Sequence, residues 1–393
     1  MSNRNPGVAI VGMGCTRFSD HWDKSVDDLL IDAVTEAVGG VPGLELPDIE
    51  AFWLGTAVSG ASGLVLSKPL KIANKPITRV ENMCATGSEA VRNACYAVAA
   101  GAYDVVMAVG VEKLKDSAMA GLVIPSAPSD GTLADLTAPA MFSFLVPAYA
   151  AKYGVDESTM REVLTHIAQK NHANGAKNPR SHFQKAVGAD VISRSPKIAG
   201  MLGIFDCSGI SDGAAAAIIC RAEDAHRYTD KPMYVRALSL AVGTGTGGID
   251  QDYDYTSFPE VVASANAAYA QAGITDPSSQ ISMAEVHDCF TPTELVLMED
   301  LGFSPRGRGW SDVLSGRFDL DGSLPVNPDG GLKSFGHPVG ASGLRMLFEM
   351  WLQLRGEAGP RQIAAPKLGL THNLGGQPGE CVSFVSIVGA EPE

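Results

Sequence analysis

Residues 84–101 read CATGSEAVRNACYAVAAG, and residues 337–356 read HPVGASGLRMLFEMWLQLRG. In each, a loop of small residues runs directly into an amphipathic helix. Ala90, Val91, Ala94, Cys95 and Val98 share one apolar face in the first, and Leu344, Leu347, Phe348 and Trp351 share one in the second. The elements before these corners recur in the same order. Residues 8–12 (VAIVG) predict a buried strand, 26–39 a helix and 49–55 a second strand; residues 233–242, 258–273 and 281–286 repeat the series. Strand signals follow both corners, at 104–109 and 367–371, and each half closes on one more apolar strand, 213–220 and 381–389.

Strands alternating with helices predict largely parallel sheets covered on both faces, hence two similar α/β halves packed together. One asymmetry interrupts the repeat. The second half joins its last two strands through residues 372–380, whereas the first spends residues 111–212 on the same connection. A structureless loop of that length is improbable in a compact domain, so the insertion is expected to carry helices over 147–154 and 158–175 and to cover the active face. The expected division is 1–110 with 207–229 for the first half, 111–206 for the lid, and 230–393 for the second half.

The chain has 393 residues, 45% hydrophobic and 19% charged, a globular composition. Its apolar runs are far shorter than the ~20 residues of a membrane span, and a polar start without a signal core predicts a cytoplasmic protein with no membrane contact. A net charge of −14 repels a phosphate backbone, which argues against nucleic acid. Seven cysteines with no C-x-x-C pair suggest neither a disulfide framework nor a structural zinc site.

Cys84 stands at a helix entrance, where unpaired amides and the helix dipole would favour a thiolate nucleophile; the alternative is a packed small side chain. His337 holds the equivalent place in the second half, where it would serve as a general base if the two helix N-termini converge, or otherwise cap its own loop. His287-Asp288-Cys289-Phe290 ends a predicted strand and could supply a hydrogen-bond donor and a second acid/base thiol. Adjacent His, Asp and Cys point in alternating directions and chelate poorly, so no metal site is expected. His372 to Gly376 reads as a glycine turn just past a strand, either an oxyanion hole or a plain turn. Gly12-Met13-Gly14 lacks the third glycine of a dinucleotide fingerprint, and Gly243 to Gly248 lacks the lysine of a phosphate loop, so no nucleotide cofactor is indicated.

Taken in order, NMCATGSEA around Cys84, KNHANGAKNP, DCSGISDGAAA from Asp206, HDCF from His287, GHPVGASG with His337 and NLGG from Asn373 give the whole chain a resemblance to the thiolases. The likeness is to the branch typified by the thiolase part of the sterol carrier protein x enzyme and its stand-alone bacterial and archaeal relatives. It implies a layered α-β-α-β-α thiolase-like fold with a loop-domain insertion, and a CoA-dependent acyltransferase with acetoacetyl-CoA or 3-oxoacyl-CoA as substrate and no tightly bound cofactor. By resemblance Cys84 is the acyl-accepting nucleophile and His337 its base. His287 belongs to one oxyanion hole with His337; the backbone amides of Cys84 and Gly375 form the other. Asn373 stands where ordinary thiolases carry a second cysteine, and Cys289 takes over as acid/base. Ser208 matches the serine that touches the pantetheine arm. CoA phosphates need a local basic site in so acidic a chain, and Lys177, Arg180 and Lys185 form the most basic stretch of the insertion. A homodimer or dimer of dimers through the segment before Cys84, and a small OB-fold, zinc-ribbon companion protein, are the implied partners. Alternatives are acetyl transfer to a carbon acceptor not bound to CoA, such as a phenol, a retro-aldol lyase and a silent scaffold.

Overall fold

The strand expected over residues 8–12 runs on to Cys15 as β1 (Val8–Cys15), and a bulge between Ile10 and Gly12 divides it. Before the bulge Val8 and Ile10 face the middle of the molecule. After it Met13 and Cys15 do, so the extra residue switches which side chains are central. The computed structural model describes residues 5–116, 137–245 and 252–392. Its other strands are β2 (Ala51–Gly55), β3 (Ile77–Val80), β4 (Val105–Glu112), the small hairpin β5 (Lys197–Ala199) and β6 (Leu202–Gly203), β7 (Gly213–Arg221), β8 (Met233–Val242), β9 (Met283–Glu285), β10 (Leu368–Gln377) and β11 (Glu380–Gly389).

The order β3-β2-β4-β7-β1-β8-β11-β10-β9 is a palindrome of two halves that meet where β1 pairs with β8 through Val8, Ala9 and Ile10. The place opposite β3 is held by one bridge, Val326 beside Ala284. The expectation of largely parallel sheets is corrected. β2–β3, β2–β4 and β9–β10 are parallel, but β4–β7, β7–β1, β1–β8, β8–β11 and β11–β10 are antiparallel. The reason in the second half is local: β10 continues to Gln377, leaving Pro378-Gly379 as the whole connection, and so short a loop can only reverse the chain. In the first half Glu112 pairs with Gly213, so the insertion leaves and re-enters at one end of the sheet.

Buried strands sort their side chains by parity. Val105, Met107, Val109 and Val111 of β4 pack outward with Leu29, Leu30 and Ala33 of the helix Val26–Gly39. Val106 and Ala108 pack inward with Ala90, Val91 and Ala94 of the helix Thr86–Ala99 and with Leu344 and Leu347 of the helix Ser342–Arg355. Gly12 and Gly14 let the outer helix approach β1, since a Cβ on Gly12 would lie 2.8 Å from Ala37 O. The two central helices meet at backbone contact: a Cβ on Gly87 would sit 2.6 Å from Gly340 O, one on Gly340 would sit 2.6 Å from Gly55 O, and one on Gly110 would collide with Gly340 O.

Between β4 and β7 the described residues form helices Ala138–Ser143, Leu145–Tyr153, Glu157–Gly175 and Ala189–Ser193; the two longer ones stand where apolar spacing put helices. Residues 117–136 of the expected lid lie outside the described residues. The longest helix is capped by Asp156, which accepts from Thr159 N, and is anchored by the buried pair Lys170–Glu294 (2.9 Å) and by Arg161 on Asp206. Among the described residues no helix is long and apolar enough to cross a membrane.

Candidate active site

Cys84 sits on a turn that β3 feeds and the first central helix leaves. Thr86 closes it: its hydroxyl donates to Met83 O (2.5 Å) and accepts from Asn82 N (2.8 Å), while Met83 takes φ 52°, a conformation non-glycine residues seldom adopt. Strand β10 passes against this turn. A Cβ on Gly375 would lie 3.2 Å from Cys84 N and 2.9 Å from Asn82 O, so a residue without a side chain brings the two halves' backbones together beside the thiol. The expected lowering of the Cys84 pKa by the helix end is overturned: burial pushes the thiol up to about 12, with Glu81 and then Glu112 adding to it. Glu112 is itself buried, accepting from the Thr56 and Ser59 hydroxyls and the Ala57 amide.

His337 faces it from the other half. Its Nδ1 lies 2.7 Å from Ser342 Oγ, and that hydroxyl donates its one proton to Pro338 O (2.9 Å). The serine oxygen is therefore the acceptor for Nδ1–H, which leaves the lone pair on Nε2. Nε2 is buried with no partner, and burial, helped by Arg345, holds the imidazole pKa down to about 3, so the ring is neutral at pH 7. His287, just past β9, meets His337 edge to face with ring centroids 5.3 Å apart. Its Nδ1 is likewise buried without a partner, and its pKa lies well below the usual range through burial first and His337 second. One ligand-type atom each from Cys84, His287 and His337 lie within 4.8 Å of one another.

Cys289 is buried, 3.7 Å from Thr293 Oγ1, and its carbonyl accepts from Ser208 N (2.8 Å), which puts Ser208 at the same place. Burial keeps this thiol protonated, and a negative charge on Cys84 would add to that, so the two sulfurs sense each other. Asp288 lies between His287 and Cys289. It accepts from Leu332 N (2.6 Å), Lys333 N (3.3 Å) and Asn171 Nδ2 (2.8 Å), tying the His287–Cys289 segment to the stretch that leads into His337. Its carboxyl is pushed up to about 7 by burial, with Glu294 adding. Below them Arg345 is fully buried between Glu285 (2.5 Å) and Asp329 (2.6 Å). Composition gives no signal for such a triad, because charged residues usually read as surface.

The segment His372–Gly376 is a strand rather than a turn, since all five residues lie inside β10. His372 is buried with Nε2 on Ser383 Oγ (3.2 Å), and Asn373 accepts from Ser88 Oγ (2.6 Å), bolting the nucleophile helix to β10. The basic stretch disperses. Arg180 is committed to Glu36, at 2.5 Å, and to Cys15 O, and lies over Phe348. Lys177 and Lys185 are exposed, while Lys170 and His172 are buried.

The chain matches the thiolase N-terminal domain family over residues 8–223 and the thiolase C-terminal domain-like family over 241–386. It is 36% identical to an acetyl-CoA acetyltransferase of Methanothermobacter thermautotrophicus over 95% of this chain and 97% of that one. It is 32% identical to sterol carrier protein 2 of Bos taurus over 94% of this chain and 70% of that one. Among solved structures it is similar to the Ltp2-ChsH2(DUF35) aldolase, with TM-score 0.85 and 24% identity over the full length of both chains. It is also similar to a monomeric SCP2-thiolase-like protein of Mycobacterium smegmatis, with TM-score 0.75 and 17% identity over 99% and 78% of the two chains.

Proposed function

We infer function from a plain premise: the chain belongs to the thiolase superfamily, in its sterol carrier protein x branch, and is an acyltransferase of thiolase type. We propose that it cleaves or forms acetoacetyl-CoA or a longer 3-oxoacyl-CoA through an acyl-enzyme on Cys84. The observation that carries this is the convergence of the Cys84 thiol with two neutral imidazoles, each holding a ring nitrogen without a partner.

The resting pair is thiol and imidazole, because burial raises one pKa and lowers the other. Proton transfer from Sγ to His337 Nε2 therefore accompanies attack on the keto carbonyl instead of preceding it. The keto oxygen that gains charge is received by the amides of Cys84 and Gly375, and the enolate oxygen formed next by His287 and the protonated His337. The bond between the keto carbon and the α-carbon then breaks, acetyl-CoA leaves as its enolate, and Cys289, held protonated by burial, supplies the proton to that carbon. CoA thiol then takes the acyl group from Cys84, giving its proton to the Cys289 thiolate, while the amides of Cys84 and Gly375 again receive the oxygen and His337 returns its proton to the departing Cys84 sulfur. Condensation runs the same steps backward.

Ser208, through its contact with Cys289 O, is the residue proposed to meet the pantetheine arm, and exposed Lys177 and Lys185 are those proposed for the phosphates. A homodimer through β3, the outermost strand of the sheet, and a small companion protein are the proposed partners. The retro-aldol alternative needs no acyl-enzyme, so one experiment separates the two. Incubation with acetyl-CoA, read by intact mass, should add one acetyl group to the wild type and to Cys95→Ser, and none to Cys84→Ser. Labelling that survives in Cys84→Ser removes the assignment.

A further inference from the structure

We propose that Cys84, His287 and His337 form a latent site for a borderline-soft divalent cation, Zn²⁺ above all, whose binding blocks acyl transfer. The site is the catalytic cluster seen as a ligand set, so it rests in part on the acyl-enzyme reading, and it stands on three observations of its own. One sulfur and two imidazole nitrogens lie within 4.8 Å of one another, on three separate segments of chain. A zinc ion with bonds of about 2.0–2.3 Å needs its ligands about 3.3–3.6 Å apart, so closure asks each side chain to move by roughly half an ångström to one ångström.

Secondly, His337 Nε2 is unclaimed: it is buried without a partner, and a buried imidazole nitrogen left bare is a lone pair waiting for a proton or a metal. Thirdly, an orienting group is built in. The Ser342 hydroxyl holds His337 by Nδ1, the outer-shell contact that fixes the tautomer in which Nε2 can ligate. Sulfur with two imidazoles suits Zn²⁺, Cd²⁺ and Co²⁺ and is wrong for Mg²⁺ or Ca²⁺, which take oxygen. The exchange balances: Zn²⁺ takes the thiolate and two lone pairs, one proton passes from Sγ to solvent, and water completes a tetrahedral shell. Acetylated Cys84 has lost that thiolate, so an acyl-loaded enzyme should refuse the metal.

The test is direct binding to the chelator-treated full chain, by calorimetry with ZnCl₂ and by absorption with CoCl₂. One ion per chain is expected, with a thiolate-to-cobalt charge-transfer band in the wild type, in Cys95→Ala and in Cys289→Ala. Affinity should fall at least about tenfold in Cys84→Ala and in His337→Asn, and prior incubation with acetyl-CoA should abolish the band. A band lost in Cys84→Ala but untouched by acetyl-CoA would keep the metal site and remove the acyl-enzyme reading. No band in wild type that still labels with acetyl-CoA would do the reverse. Equal zinc binding by wild type and Cys84→Ala, with unchanged melting temperatures, would overturn the proposal.

Discussion

The Cys84 corner and the His337 corner are built on one plan and filled with opposite chemistry. Each is a tight turn of small residues entering a central helix, and each is buried enough to displace its titratable group from its ordinary pKa. In the first half the displaced group is a thiol pushed upward, and in the second it is imidazole pushed downward. Burial favours the neutral form of both, so a single physical cause yields an acid and a base poised across the seam. The loops differ as sharply. The first half spends the stretch between Glu112 and Gly213 on a connection whose described residues form four helices, and the second spends Pro378-Gly379. A repeated scaffold supplies position, and the two connections differ in everything else.

The two corners should differ most in kinetics. His337→Asn should slow acetyl loading of Cys84 about 10³-fold, while Cys289→Ala retains some acyl loading and loses carbon–carbon bond turnover by a similar factor. Intact mass follows the first step and a condensation assay the second; equal loss in both variants would mean that the corners do not divide the work.

Acid sharpens the comparison next. His287, His337 and His372 of the second half and His172 of the insertion all have folded pKa values below the ordinary 6.5. The unfolded chain therefore binds protons first: stability is full above about pH 6.5 and falls as pH drops toward 3. Each histidine should remove about 1 kcal/mol between pH 6.5 and 5.5, offset in part by Asp288 and Glu285, whose raised carboxyls take up protons first in the folded state, and the net loss is visible as a lower denaturant midpoint. A midpoint unchanged over that interval would contradict the burial described for the second corner.

Packing between the corners comes third. Gly340→Ala puts a methyl against the carbonyls of Gly55 and Val111, 2.6 and 2.8 Å away, and should cost about 3 kcal/mol. Gly39→Ala, at the end of an outer helix with nothing within 4 Å, should instead add about 0.5 kcal/mol. The smallest effect concerns Arg180. Arg180→Glu faces Glu36 with a like charge and should lower stability by about 1 kcal/mol without changing the Michaelis constant for CoA substrates. Lys185→Glu should raise that constant and flatten its salt dependence. The opposite pattern would return Arg180 to the phosphates.

The repeat of elements was legible because strands buried on both faces leave continuous apolar runs such as Val105–Val109, and central helices leave one-sided stripes. The five residues His372–Gly376 misled for a physical reason. Glycine and asparagine usually mark turns, but here Gly375 is a strand residue kept bare by the Cys84 backbone, a neighbour far away in sequence. Direction of pairing was lost in the same way, since it depends on where connections return. Of the site, the motifs singled out Cys84, His287 and His337, whose ligand-type atoms lie within 4.8 Å of one another. The partners that hold them, Ser342, Asp288 and the Arg345 triad, were silent because nothing in their spacing distinguishes a buried polar residue from an exposed one.

The contact at Gly87 and Gly340 carries a statement about ancestry. The two glycines hold the same place in their corners, three residues after Cys84 and after His337, and they meet across the seam. An ancestor with one half per chain would have needed that glycine only once for two copies to close face to face. Fusion would then have freed each copy's preceding turn to specialise, one keeping sulfur and the other imidazole, while the shared glycine stayed fixed in both.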